Sequence, residues 1–178
     1  MRKIYSIEPI TLGTADRAYP LIRAVAPTVA LEEWRQFCQG AASPLAADER
    51  ASRREQAVLA IDSRKHVKGL CIYSIGEHWF YGRLLDIPIF IAASAADARG
   101  VGAELLQFLQ AVCNRSICSG ARFWTMGAEA WRLRLSEEEI RRTDHGVFVP
   151  ALANFAQMEN AESALMRAGL ALIDRLSR

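Results

Sequence analysis

The alternation of apolar and polar positions divides the chain into short elements. Lys3 to Ile10, rich in Ile and Tyr, predicts a strand, and Ala15 to Val25 and Leu31 to Cys38 carry apolar residues at helical spacing. Gly40-Ala41-Ala42-Ser43-Pro44 then breaks the pattern and predicts a loop. Gln56 to Ile61 and Val67 to Ile75 are β-prone runs joined by Asp62-Ser63-Arg64-Lys65-His66, the composition of a hairpin connection. Gly76-Glu77-His78 and Gly82 flank Trp79-Phe80-Tyr81 as a second turn. Leu84 to Ala93 follows, nearly all apolar, as a strand covered on both faces would be. Pro88 interrupts that run; a proline cannot donate to a sheet ladder, so a bulge or a splayed strand pair is expected there.

Val101, Leu105, Leu109, Val112 and Cys113 recur at steps of three and four, which predicts a helix over Val101 to Ile117, with a strand at Ala121 to Met126 after it. Gly127 to Pro150 is long for a connection; its Ser136 to Arg142 segment opens on a Ser-x-x-Glu capping box and predicts a short helix. Ala151 to Ala168 reads as a helix stopped by Gly169, with a last strand at Leu170 to Ile173. The expected architecture is α/β, with a mixed, mostly antiparallel sheet flanked by helices, in a single domain spanning residues 1–178.

Composition narrows this picture without redirecting it. The 178 residues suffice for one ordinary core, and 51% hydrophobic with 24% charged residues is the balance of a globular domain. No apolar stretch approaches the ~20 residues of a membrane helix. MRKIYSIEPITLG lacks the apolar core of a secretion signal, so a cytoplasmic protein without a membrane partner is expected. Cys38, Cys71, Cys113 and Cys118 form no C-x-x-C pair and sit in apolar contexts, which predicts reduced core thiols and no metal site. A net charge of +2 does not announce a nucleic-acid partner. The basic clusters Arg50-Ala51-Ser52-Arg53-Arg54 and Arg132 to Arg142 read as solvated surface.

The stretch that carries chemistry is Arg99-Gly100-Val101-Gly102, between the apolar strand and the long helix. It is not a Walker loop, because Ala103 and Glu104 follow Gly102 in place of Lys and Ser or Thr. It is not a dinucleotide fingerprint either, because bulky Leu105 stands where a small residue is needed. With the helix starting at Val101, no Ser, Thr, Asp or Asn immediately precedes it. Uncapped N–H groups at the positive end of a helix dipole would then receive an anion such as a pyrophosphate, with Arg99 nearby.

In this context the chain resembles the GNAT superfamily of N-acetyltransferases, whose acetyl-CoA motif is Q/R-x-x-G-x-G/A at the junction of the fourth strand and third helix. Asp97-Ala98-Arg99-Gly100-Val101-Gly102 matches both glycine positions and departs at the first, where Asp97 places a negative charge near the phosphates. The inferred order of elements resembles that topology over roughly residues 3–174. The resemblance implies splayed strands 4 and 5, with acetyl-CoA as co-substrate between them. Its pantetheine arm would pair with Ile91, Ala92 and Ala93, and its pyrophosphate would rest on Arg99, Gly100, Val101, Gly102 and Ala103. It also implies a small-molecule or protein amine as acceptor, direct attack in a ternary complex, and a homodimer. Leu165 stands where many members have an acid-donating tyrosine four residues before the helix-ending glycine, here Gly169.

Attack on a thioester needs a neutral amine, so a proton acceptor is sought. Asp86, thirteen residues before Arg99, matches the strand-borne carboxylate of histone-type members. The competing reading pairs it with Arg83 or leaves it to solvent. Glu77 and His78 are further candidates from the aromatic turn, with His145 behind them, and Tyr81 is a candidate donor to the departing thiolate. Tyr73, Trp79, Tyr81 and Trp124 are either pocket walls or ordinary packing residues. A second reading, favoured by Leu165, is a catalytically weak acyl-CoA-binding or protein-interaction module that keeps the same fold.

Overall fold

The computed structural model describes residues 4–42, 54–94 and 96–124, and the backbone alone of 146–150. Strand β1 (Tyr5–Pro9) leads into helices α1 (Leu12–Val25) and α2 (Leu31–Ala42). Strands β2 (Gln56–Asp62), β3 (Val67–His78) and β4 (Gly82–Ala92) follow, then α3 (Ala98–Arg115), β5 (Gly120–Trp124) and β6 (Gly146–Pro150). The strands form one sheet in the order β1-β2-β3-β4-β5-β6. All neighbours are antiparallel except β4 and β5, which are parallel, so the chain needs a crossover between them, and α3 supplies it. This is the mixed, mostly antiparallel α/β architecture that the sequence predicts.

Alternation along the strands builds two cores. Leu59, Ile61, Leu70 and Ile72 face α1 and α2, where they meet Ile22, Trp34 and Cys38. Val58, Ala60, Cys71 and Tyr73 face α3, where they meet Leu105, Leu109 and Cys113. Each fully buried side chain of Leu or Ile size contributes about 1.5–3 kcal/mol. The indole N–H of Trp34 donates to the Ala15 carbonyl at 2.8 Å and joins α2 to α1 inside the first core. All four cysteines are buried with free thiols, and burial pushes Cys113 up to about 11 and Cys38 up to about 12, so both are protonated at neutral pH. Among the described residues no helix is long and apolar enough to cross a membrane.

Several boundaries move for local reasons. Helix α1 begins at Leu12 and not Ala15, because Thr11 and Thr14 close its first turn, the Thr11 N–H donating to Thr14 Oγ1 at 2.9 Å. Glu77 and His78, expected in a turn, continue β3 opposite Arg83 and Gly82, which narrows the turn to Trp79–Tyr81. Gly82 closes that turn at φ 71°, the left-handed region a glycine enters without strain. Strand β6 lies inside the stretch expected to be a connection and pairs Val147 with Phe123. The segments expected at Ser136 to Arg142, Ala151 to Ala168 and Leu170 to Ile173, and with them Leu165 and His145, lie outside the described residues.

Candidate active site

Two β4 residues oppose one β3 residue at a single point. Ile72 pairs with Ile89 and Ser74 with Asp86, so Ile87 and Pro88 together face Tyr73. This is the bulge that Pro88 demanded, and it reverses which residues face which side. Leu85 and Ile87 point into the α3 core before it, while Phe90 and Ala92 do so after it and Ile89 and Ile91 turn to the α1–α2 core. The parallel ladder to β5 stops at the same place, its last rung being Ile87 with Phe123. Beyond it β4 still meets both cores but is only half-buried from Pro88 to Ala92. Among the described residues, which end at Trp124 on β5, no rung joins β4 to β5 past Ile87.

The exposed edge can be assigned atom by atom. The Ala93 N–H donates to the Lys68 carbonyl at 2.8 Å, so Ala93 faces β3. Because backbone groups alternate along an antiparallel pair, Ile91 also faces β3, while Phe90 and Ala92 turn their N–H and C=O groups away from it. Of the expected trio Ile91, Ala92 and Ala93, only Ala92 turns its backbone away from β3, and Phe90 joins it.

Helix α3 begins at Ala98, three residues earlier than its apolar spacing indicates, so Gly100 to Ala103 belong to its first turns and not to a loop. Nor is the helix uncapped. Asp97 is its N-cap, and Asp97 Oδ1 accepts the Gly100 N–H at 2.9 Å. The Tyr5 hydroxyl donates to Asp97 Oδ2 at 3.0 Å, and the Asp97 N–H donates to Ser94 Oγ at 3.1 Å. Burial and then the Asp97 carboxylate raise the Tyr5 hydroxyl above its usual range. A side chain at Gly100 would collide with this carboxylate, which gives the first motif glycine a local reason. The Ala98 and Arg99 amides precede the first intrahelical bond, from the Val101 N–H to the Asp97 carbonyl at 3.2 Å. Arg99 is exposed beside them, while Val101 and Gly102 are buried.

Gly69 of β3 sets the helix on the sheet. A Cβ there would lie 2.7 Å from Val101 Cγ1, 2.9 Å from the Ile91 carbonyl oxygen and 3.1 Å from Leu105 Cδ1. The bare backbone at Gly69 thus brings the start of α3 down onto the end of β4. Ile91 to Ala93 and Arg99 to Ala103 are gathered at one end of the sheet by that contact.

Asp86 is engaged, and its partner is not Arg83. Arg122, opposite it on β5, donates from Nε at 2.9 Å and from Nη2 at 3.0 Å, and the Trp124 indole N–H donates at 2.7 Å. The Arg122 guanidinium lies 4.7 Å from the centre of the Trp124 ring. Leu85, Ile87, Ala121 and Phe123 face α3, so these three side chains project from the opposite face of the sheet.

Glu77, His78 and Tyr81 are not brought to this place. They sit at the β3–β4 tip, and Gly82 is six residues, about 20 Å of strand, from Pro88. His78 Nδ1 faces the Phe80 and Tyr81 amides at 3.2 and 3.3 Å, so the ring serves as the acceptor that closes its own turn. Trp79 is 91% exposed. Tyr73 is a core residue whose hydroxyl donates to Gln56 Oε1 at 2.7 Å.

No protein-family profile matches the chain, and no curated protein matches it in sequence. Solved structures do match. An aminoglycoside 6′-N-acetyltransferase from Acinetobacter baumannii superposes at TM-score 0.54 with 13% identity, over 82% of this chain and 95% of that one. The fold is that of the GNAT acetyltransferases. A transcriptional regulator from Bacillus halodurans C-125 matches at TM-score 0.55 with 14% identity, over 79% of this chain and 95% of that one. A ribosomal-protein-alanine N-acetyltransferase from Brucella melitensis biovar Abortus 2308 matches at TM-score 0.50 with 15% identity, over 67% of this chain and 78% of that one. Within this GNAT fold, Phe90, Gly69 and Arg122 are residues of the candidate site that sequence reasoning missed, and Trp124, expected as a pocket wall or a packing residue, is a donor to Asp86. Gly69 had a readable signal, an isolated glycine inside a strand pattern. The pairing of Arg122 and Trp124 with Asp86 had none, since only the parallel register sets them beside it.

Proposed function

We propose that this protein is an acetyl-CoA-dependent N-acetyltransferase that passes the acetyl group to a primary amine by direct attack in a ternary complex. The observation that carries this reading is β4 beyond the bulge, which turns the Phe90 and Ala92 backbone away from β3 beside the first turn of α3; that side of β4 would be the cofactor slot. Those groups suit the amides of a pantetheine arm, and the Ala98 and Arg99 amides with the Arg99 guanidinium suit a pyrophosphate. The Asp97 carboxylate on the Gly100 amide is the part of the cradle that fits least well. Acetyl-CoA supplies the activated thioester when bound. The amine nitrogen bonds to the acetyl carbon as the C–S bond breaks, the CoA sulfur takes up a proton, and an ammonium substrate releases one further proton.

Both a small-molecule amine and a protein amine are carried by acetyltransferases of this fold, so the acceptor is to be found by measurement. Calorimetry with acetyl-CoA, run beside a screen of amine classes that reads free CoA, tests the proposal. Binding with turnover on one class supports it, and absence of binding overturns it. The second reading, a catalytically weak acyl-CoA-binding module, is favoured by the full engagement of Asp86 and predicts binding with no turnover on any class.

A further inference from the structure

Three donors converge on one carboxylate beside the β4 bulge. Asp86 and Arg122 are cross-strand partners on the rung next to the last of the β4–β5 ladder, and Trp124 lies one residue beyond the last rung. The ladder has only four pairs, Leu84 with Gly120 through Ile87 with Phe123, and parallel hydrogen bonds are slanted and slightly weaker than antiparallel ones. The next β4 residue is Pro88, which has no N–H to extend it. Such an end frays unless side chains hold it.

Here they hold it on both faces. On one, Asp86 bridges the seam to Arg122 and Trp124; the side chains of Asp86 and Arg122 are only 27% and 17% exposed. On the other, Phe90 and Phe123 meet edge to face with ring centres 5.9 Å apart. Phe90 already belongs to the part of β4 beyond the bulge, so the aromatic pair ties that part to the last rung of β5. The Asp86 carboxylate thus accepts three hydrogen bonds, two at Oδ1 and one at Oδ2, all of them from β5.

We propose that Arg122 and Trp124 are positioning residues of the acyl-transfer site: with Asp86 they clip β5 to β4 beside the bulge and so hold in place the stretch of β4 along which the cofactor would lie. Asp86 is then the anionic half of the clip and not the group that deprotonates the amine. The inference rests on the acetyl-CoA reading of the slot.

A double-mutant cycle read in acetyl-CoA affinity tests it. Arg122→Gln and Asp86→Asn each weaken binding about tenfold, and the double variant also loses about tenfold and not a hundredfold, because all three break the same clip. Arg122→Lys keeps the charge but not the two-pronged geometry and recovers only part of the loss. Trp124→Phe removes one donor and falls between the parent and Arg122→Gln. Affinity losses that multiply overturn the proposal. So does an Asp86→Asn protein that binds normally but turns over ~10²–10⁴ more slowly while Arg122→Gln turns over as the parent does, because that is the signature of a general base. If the parent chain takes up no acetyl-CoA, the cofactor reading falls, and the clip is decided by the same cycle in urea unfolding and by the Trp124 indole N–H resonance. Additive unfolding losses, or a resonance unmoved in Asp86→Asn, overturn it there.

Discussion

The two ends of β4 contain similar residue types and do different things. At the tip, His78, Trp79, Phe80 and Tyr81 stack on one another at ring-centre distances of 4.9–6.2 Å, and His78 is spent on the turn. At the fork, Asp86, Arg122 and Trp124 lock together across β4 and β5 on one face and Phe90 meets Phe123 on the other. Both ends offer a titratable group among aromatic rings, and sequence reasoning took both as candidates. Of the two, the fork adjoins backbone turned away from β3 and the N-terminus of a long helix, and it is there that we propose the cofactor lies.

The sharpest way to break this contrast is at the helix end of the fork. Gly102→Val places a β-branched side chain at a buried position in the first turns of α3, and acetyl-CoA affinity is expected to fall about a hundredfold or more, close to 3 kcal/mol. Gly102→Ala, which the acetyl-CoA motif tolerates, is the control and should bind as the parent does. Unchanged affinity in a folded Gly102→Val protein, measured by calorimetry, removes the cofactor site from the fork.

Gly69→Ala tests whether the helix must sit as low on the sheet as it does. The added methyl meets Val101 Cγ1 and the Ile91 carbonyl, so a cost of about 1–3 kcal/mol in urea unfolding is expected, with weaker acetyl-CoA binding as α3 lifts from β4. A variant as stable as the parent would show that the close approach is not needed.

A gain is expected at Asp97. Asp97→Asn keeps a capping oxygen for the Gly100 amide but removes the charge that faces incoming phosphates, so acetyl-CoA affinity should rise about threefold to tenfold at low salt and less at high salt. Equal or weaker binding would mean that the phosphates do not approach Gly100.

The smallest effects belong to the tip. Trp79→Ser and Phe80→Ser should change stability by no more than about 0.5 kcal/mol and leave acetyl-CoA affinity untouched. His78→Ala removes the acceptor of two amides and should cost about 0.5–1.5 kcal/mol, again without moving the cofactor. A fall in cofactor affinity from any of the three would return the tip to the site.

Local chemistry alone determined much of this protein. The helical spacing of Val101, Leu105 and Leu109, the β-prone runs around Asp62 to His66, and the disruption at Pro88 are properties of neighbouring residues, so the sequence shows them directly. It also shows that a glycine pair follows an apolar strand, which is enough to look for a phosphate there. It does not show Asp97 as the helix cap, because apolar spacing reports the buried face of a helix and not its first turn, where Ala98 to Gly100 bury little. Strand β6 was hidden for a related reason: Val147-Phe148-Val149 is too short a run to announce itself until β5 offers an edge. The pairing of Asp86 with Arg122 and not Arg83, and the turning of Phe90 rather than Ile91 toward the slot, were decided by tertiary structure alone. The first depends on the register between strands 36 residues apart. The second depends on one extra residue at a bulge, which reverses every side chain and every backbone group beyond it.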